Sequence, residues 1–327
     1  MDASGDGMSY DTGRLPARHR ALFWREAVCS TFVSVDCRIG DIETFNGTIT
    51  TRRLADLRIS RVRSGPHEVR RSAPYRVSEG PSAVLVGYQR RGTSCIVQDG
   101  RTATLKPGQL ALYDTARPYE LHLGASCDQI VLSFPAELAE ARFGHTRDFT
   151  ARVVGDSHHL GQTAGVVFHQ LSRVDRSSGA MAEHHLRDAA SSVIAANVAT
   201  LIEGLPDPQR SGRALIVMRS KAFVADNIGR DDLTTREIAA AVGVSVRYLQ
   251  ELFQADGTTL MGYLWNARLQ RARRMLDEFA WRGASISEIA LACGFKDFSH
   301  FSRRFRENFG RSPRDLRNNG RVHTLID

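Results

Sequence analysis

SISEIALACGFKDFSHFSRRFRENFGRSP, residues 285–313, reads as two short helices joined by a tight turn. Ser285 suits an N-cap, and Glu288 three residues later completes a capping box. Ile286, Ile289, Ala290 and Cys293 recur at helical spacing on one face. Gly294 supplies the turn, and Gly310 with Pro313 ends the second helix. That helix, Asp297 to Phe309, divides into two faces. Phe298, Phe301, Phe305 and Phe309 fall on one side at i, i+3, i+7 and i+11; Ser299, Ser302, Arg303 and Arg306 form a polar stripe at i, i+3, i+4 and i+7. An aromatic underside locks such a helix to a scaffold, while the upper face offers donors to base edges and phosphates. Taken alone, the pattern also suits an ordinary amphipathic surface helix.

The device occurs twice. TTREIAAAVGVSVRYLQELFQAD, residues 234–256, repeats the capped helix, the glycine turn at Gly243 and the second helix. Its inner face carries Leu249, Leu252 and Phe253, and its outer stripe Arg247, Gln250, Glu251 and Gln254. Between the copies, TLMGYLWNARLQRARRMLDEFA, residues 259–280, suits one long connecting helix. Its expected length of about 25–30 Å approaches the roughly 34 Å of one DNA turn. Two recognition helices held so far apart match successive major grooves on one DNA face.

AAAVGVSVRYLQELF, LWNARLQRARRML and SISEIALACGFKDFSHFSRRFRENFGRSPRDLR together resemble the double helix-turn-helix domain of AraC/XylS family regulators. The resemblance covers residues 213–320, and its GF-x-D-x-S-x-F-S-R-x-F-R-x-x-F-G-x-S-P signature is highly specific. It implies that Arg247, Gln250, Gln254, Ser299, Ser302 and Arg303 face DNA. Glu251 departs from the family, which more often carries Arg there. A carboxylate cannot hold a phosphate, although it can accept from a cytosine amino group.

Charge follows the repeats. The chain of 327 residues has a net charge of +8; residues 213–327 hold 19 Lys/Arg against 13 Asp/Glu, and the remainder 25 against 23. The basic excess therefore sits on the third of the chain expected to meet phosphates. The five cysteines (Cys29, Cys37, Cys95, Cys127 and Cys293) show no C-x-x-C spacing and are odd in number, which points to reduced, mostly buried thiols. Met1–Asp11 is polar and acidic, and no apolar run approaches the roughly 20 residues of a membrane span. A cytoplasmic protein without a membrane partner is expected.

The N-terminal two-thirds has another texture. Residues 1–16 read as a disordered lead, and 17–33 as an amphipathic helix with Leu22, Val28 and Phe32 inward and Trp24 nearby. From about 42 to 134, short β-like runs are broken by turns at Gly47, Ser64-Gly65-Pro66, Gly92, Asp99-Gly100, Pro107-Gly108 and Gly124. LKPGQLALYDTARPYEL resembles the Pro-Gly corner of a cupin barrel, and residues 20–135 resemble the sensor domain fused to many AraC/XylS regulators. The expected fold class is α+β and multidomain: an N-terminal cupin-like β-barrel with flanking helices, then an all-α double helix-turn-helix domain. Its expected divisions are a sensing and dimerisation domain over 17–205, a linker at 206–212 (PDPQRSG), the DNA-binding domain at 213–320 and a tail at 321–327.

A cupin enzyme needs an H-x-H…E…H ligand set. SAVLVGYQRRGTSC contains no histidine, and Tyr113-Asp114 follows the Pro-Gly corner, so neither a metal, a cofactor nor catalysis is expected. His158-His159 and His184-His185 are adjacent pairs and make no i,i+4 clamp. The barrel is left as a ligand cavity or a scaffold. Arg71, Tyr88, Arg90, Tyr113 and His122 are the candidate effector contacts, with solvated strand faces or a satisfied core histidine as the alternatives. Two helical stretches follow, near 158–175 and 180–204; the second has an apolar stripe of Leu186, Ala189, Val193, Ala196, Val198 and Leu201. In the family such a pair commonly forms a homodimer interface; on physics alone it also suits packing on the barrel. The resemblance implies an activator of a catabolic operon that meets operator DNA, RNA polymerase and an aromatic or other small effector. A regulator whose N-terminal domain only dimerises or binds a protein partner fits the same residues.

Overall fold

Alternation of apolar and polar residues builds two antiparallel sheets in the computed structural model, which describes residues 7–72, 82–155, 158–174, 179–277, 281 and 283–322. The strands are β1 (Gly7–Asp11), β2 (Asp36–Arg38), β3 (Gly47–Leu54), β4 (Leu57–Ser64), β5 (His67–Arg71), β6 (Ala83–Arg91), β7 (Ser94–Gln98), β8 (Arg101–Leu105), β9 (Leu110–Asp114), β10 (Tyr119–Leu123) and β11 (Cys127–Pro135). One sheet runs β1-β3-β4-β11-β6-β9 and the other β2-β5-β10-β7-β8. Ile49, Val62, Leu85, Tyr113 and Val131 from the first meet Val69, Ile96, Leu105, Tyr119 and Leu123 from the second in one apolar core.

The helices are α1 (Ala17–Thr31), α2 (Ala136–Phe143), α3 (Thr146–Phe149), α4 (His158–Leu171), α5 (Gly179–Glu203), α6 (Pro208–Asp226), α7 (Thr235–Ala241), α8 (Val246–Ala255), α9 (Leu260–Asp277), α10 (Ile286–Ala292), α11 (Phe298–Phe309) and α12 (Pro313–Val322). The chain divides into two compact units, Met1–Ser211 and Gly212–Asp327.

Four expectations are corrected. The lead read as disordered is structured from Gly7, where β1 pairs antiparallel with β3 from Gly7↔Arg52 to Asp11↔Thr48. In α1, Leu22 is 56% exposed and Trp24 takes the central place at 0%. A Cβ on Gly47 would come within 2.5 Å of the Trp24 ring, so only glycine admits the indole there. The expected linker is largely helix: α6 begins at Pro208, because proline at a first helical position loses no hydrogen bond. In α5 the buried stripe is Ala190, Ile194, Val198 and Ile202; of the expected stripe only Val198 is buried, and Leu186, Ala189, Val193, Ala196 and Leu201 are half-buried or exposed.

Candidate nucleic-acid interface

Two helix-turn-helix units repeat the same local chemistry. Thr234 before α7 and Ser285 before α10 each close a capping box with the glutamate three residues on. Gly243 and Gly294 then turn the chain at φ +72 and +78, a region costly for side chains that bear a Cβ. Ser245 caps α8 by accepting from the Tyr248 amide, and Asp297 caps α11 by accepting from the amides of Ser299 and His300. Gly310, left-handed at φ 69, ends α11. The Glu237 carboxyl is held down to about 2, first by the hydrogen bond from Arg230 and then by those from Thr234.

The polar stripes are exposed as a reading surface requires. On α8, Leu249, Leu252 and Phe253 are buried, while Arg247, Gln250, Glu251 and Gln254 are exposed. On α11, Phe301 and Phe305 are buried; Ser299, Arg303 and Arg306 are exposed and Ser302 is half-buried. Phe298, expected in the aromatic underside, is 45% exposed instead. Glu251 accepts from Arg247 Nε at 3.0 Å, so the unusual carboxylate holds a cation of its own helix. Arg304 donates through Nε to His300 Nε2 at 2.9 Å, and the imidazole stands edge-on to Trp265 at 5.0 Å. Partial burial, then the charges of Arg304 and Arg303, hold His300 below its usual pKa.

One helix carries both units. Leu260 and Leu264 of α9 enter the core of the first, with Val224, Ile238, Leu249 and Phe253. Leu269, Ala272, Met275 and Leu276 enter the core of the second, with Ile289, Phe295, Phe301 and Phe305. Between them Arg268, 1% exposed, donates to the carbonyls of Ile228 and Arg230 and lies 4.9 Å over the Trp265 ring. Its guanidinium thus ties the turn after α6 to the helix that supports α11. Sequence periodicity missed it, since an arginine at that position reads as a solvated side chain.

The sensor candidates do not gather into one site. Tyr113 is 5% exposed and packs on Tyr119 at 5.1 Å inside the barrel, where burial raises its pKa. Arg71, opposite Tyr119 in the β5–β10 ladder, is also inward, and its Nη1 donates to the Ser34 carbonyl at 2.9 Å. These two meet through Tyr119. Tyr88 and Arg90 point to the other face of their sheet: the Tyr88 ring stands edge-on to Phe168 of α4 at 5.9 Å, and Arg90 pairs with Asp128 at 3.2 Å. His122 faces outward on β10, 3.5 Å from Glu68, in a groove lined also by Asp36, Arg38, Arg70 and Glu120. The core histidine is His67, which accepts from Trp24 Nε1 at 3.1 Å and whose Nδ1 lies 3.1 Å from the Gly65 carbonyl. The alternation in HEVRR, with His67, Val69 and Arg71 inward, was the signal for it. Among the described residues no group of three or more His, Cys, Asp or Glu side chains comes together as a metal site requires. No helix there is long and apolar enough to cross a membrane.

Residues 24–199 match the AraC-binding-like domain and residues 238–319 a helix-turn-helix domain. Transcriptional activator NphR of Rhodococcus sp is 33% identical over 266 residues, which span 80% of this chain and 78% of that protein. HTH-type transcriptional activator RhaS of Escherichia coli O139:H28 is 40% identical over 97 residues, 29% of this chain and 34% of its own. Among solved structures, the AraC-like transcriptional activator CuxR shares the fold with a TM-score of 0.53 at 21% identity, covering 88% of this chain and 100% of that one.

Proposed function

Because this chain belongs to the AraC/XylS family of DNA-binding transcription regulators, we propose that it is a ligand-responsive homodimeric activator that reads two adjacent half-sites of an operator and recruits RNA polymerase there. The observation that carries the DNA reading is the pair of exposed polar stripes on α8 and α11, each backed by a buried apolar face and both anchored on α9. Arg303 sits mid-stripe, as a bidentate guanine contact requires. Arg247, Gln250 and Gln254 line the other stripe, and Arg306 takes a phosphate. Activation is supported by the activators among its relatives.

Dimerisation is supported by α5. Its Ala190, Ile194, Val198 and Ile202 are spent on the interior of their own unit, yet a second row, Leu186, Ala189, Val193 and Ala196, remains half-buried or exposed at heptad-like spacing. Effector binding is supported by the AraC-binding-like domain and by the inward Arg71 opposite Tyr119, on which Tyr113 packs, a cation next to a phenol pair that suits a small aromatic acid. Control of a catabolic operon for such a compound follows from that ligand class.

The test is selection of bound duplexes from random DNA by the full chain. Enrichment of two short motifs about one helical turn apart is expected; unselected binding that depends only on salt would reject the reading. For the effector, a panel of aromatic acids at about a hundredfold over Kd stabilises the protein by about 2.7 kcal/mol. A panel that moves the melting temperature of neither the wild type nor Arg71→Ala rejects the sensor assignment.

A further inference from the structure

The first residue of α11 is an aromatic side chain that its own fold leaves in water. Among the described residues six large apolar side chains are exposed, and Phe298 alone of them lies on a recognition helix. It keeps 45% of its surface accessible, whereas Phe301 and Phe305 on the same helix keep 0%. Exposed apolar area opposes solubility and adds nothing to folding, so its position decides its meaning. At about 100° per residue, Phe298 lies about 40° around the helix from Ser302, one turn further on, and precedes Ser299 directly. It therefore borders the polar stripe at the helix end that enters a major groove first. The mounting is firm. Asp297 accepts from the Ser299 and His300 amides, both at 3.0 Å, which fixes the start of the helix. The inner side of the ring leans on Phe301, with centroids 6.1 Å apart.

We propose that Phe298 is a specificity-determining residue that reads the 5-methyl group of a thymine in the half-site under α11. The methyl is the one apolar group that base edges present in the major groove, and a phenyl ring is among the side chains that pack on it. The contact removes exposed phenyl surface from water without demanding a hydrogen bond, so it complements the donors of Ser299, Ser302 and Arg303 beside it. Phe298 thus adds thymine preference at a base pair next to those the polar stripe reads. This inference rests on the DNA reading proposed above.

The experiment uses the full chain and its selected operator, with each thymine under α11 replaced singly by deoxyuridine, which lacks only the methyl. Loss of one buried methyl weakens the wild type about fourfold at one position. The same replacement is expected to leave Phe298→Asn unchanged and to weaken Phe298→Leu, which keeps an apolar contact; thermal melts show whether each variant is folded. A deoxyuridine penalty equal in the wild type and Phe298→Asn, or absent from both, overturns the inference while the DNA reading stands. Reduced transcription by Phe298→Asn with an unchanged deoxyuridine penalty also overturns it and assigns the ring to a protein surface. If the wild type selects no sequence at all, the DNA reading falls first and this one with it.

Discussion

The two turn glycines show how one sequence device meets two local constraints. A Cβ on Gly294 would stand 2.6 Å from the Ile228 carbonyl oxygen and 2.9 Å from Arg268 Nε, whereas one on Gly243 meets nothing within 4 Å. Both have positive φ, which costs an L residue about 1–2 kcal/mol. Gly243→Ala is expected to lose that amount and Gly294→Ala about 2–5 kcal/mol, because backbone and guanidinium must also move. Equal losses in urea denaturation would show that the Arg268 contact is soft. Arg303→Ala is expected to weaken operator binding by about 1–3 kcal/mol and to relax preference at one base pair. Glu251→Ala works the other way. It frees Arg247 and removes a charge that phosphates repel, so affinity for scrambled DNA rises and its salt dependence steepens. Selective loss at a single base pair with an unchanged salt slope would instead make Glu251 a reader of cytosine.

At the scale of elements, legibility followed the range of the signal. Capping boxes, glycine turns and the inner faces of α8 and α10 are set within a few residues, and periodicity placed them where the structure has them. Phe298 escaped because its direction lies close to that of the buried phenylalanines, and only the partners of α11 decide how much of its ring they cover. The sensor residues were less legible for a related reason. Strand pairing decides which face is inside, and it sends Tyr88 and Arg90 outward beneath α4 while Tyr113 and Arg71 turn inward. In α5 Val198 belongs to both the expected and the observed stripe, but the row Leu186, Ala189, Val193 and Ala196 lies about 140° around the helix from the buried one, and packing selected the latter. The second row predicts that Val193→Arg converts dimers to monomers in sedimentation experiments while the monomer keeps its helix and strand content by circular dichroism. A variant that stays dimeric, or one that unfolds, would place Val193 elsewhere.

At the scale of the molecule, each compact unit answers to its own titration. His67 is held below its ordinary pKa of 6.5 by burial, against the opposing pull of the Gly65 carbonyl. The folded state accepts that proton less readily than the unfolded chain, so its contribution to stability is complete above about pH 6.5 and declines as pH falls below it. Protonation also sets a second N–H against the Trp24 donor. The unit containing the barrel is expected to lose stability from pH 7 to 5, and His67→Gln, which can still accept from the indole, to lose less. A wild-type slope retained in full by the variant would assign the dependence to other groups. In the helical unit, Glu237 carries its charge down to about pH 2, so its capping contribution is complete above its ordinary 4.5 and fades only as pH falls from there towards 2.

The fixed element of the DNA-binding unit is α9, whose two ends are sunk in two different cores with Arg268 clamped between them. Such a rod has one length and one twist, and it passes both on to any operator as a rule of spacing. Each base pair added between the half-sites rotates one relative to the other by about 35°, which the helix cannot follow and the duplex must absorb by untwisting or bending. Base identities within a half-site can therefore drift over evolutionary time while the gap stays constant. A search of the genome by distance first and letters second is the one to which this architecture answers.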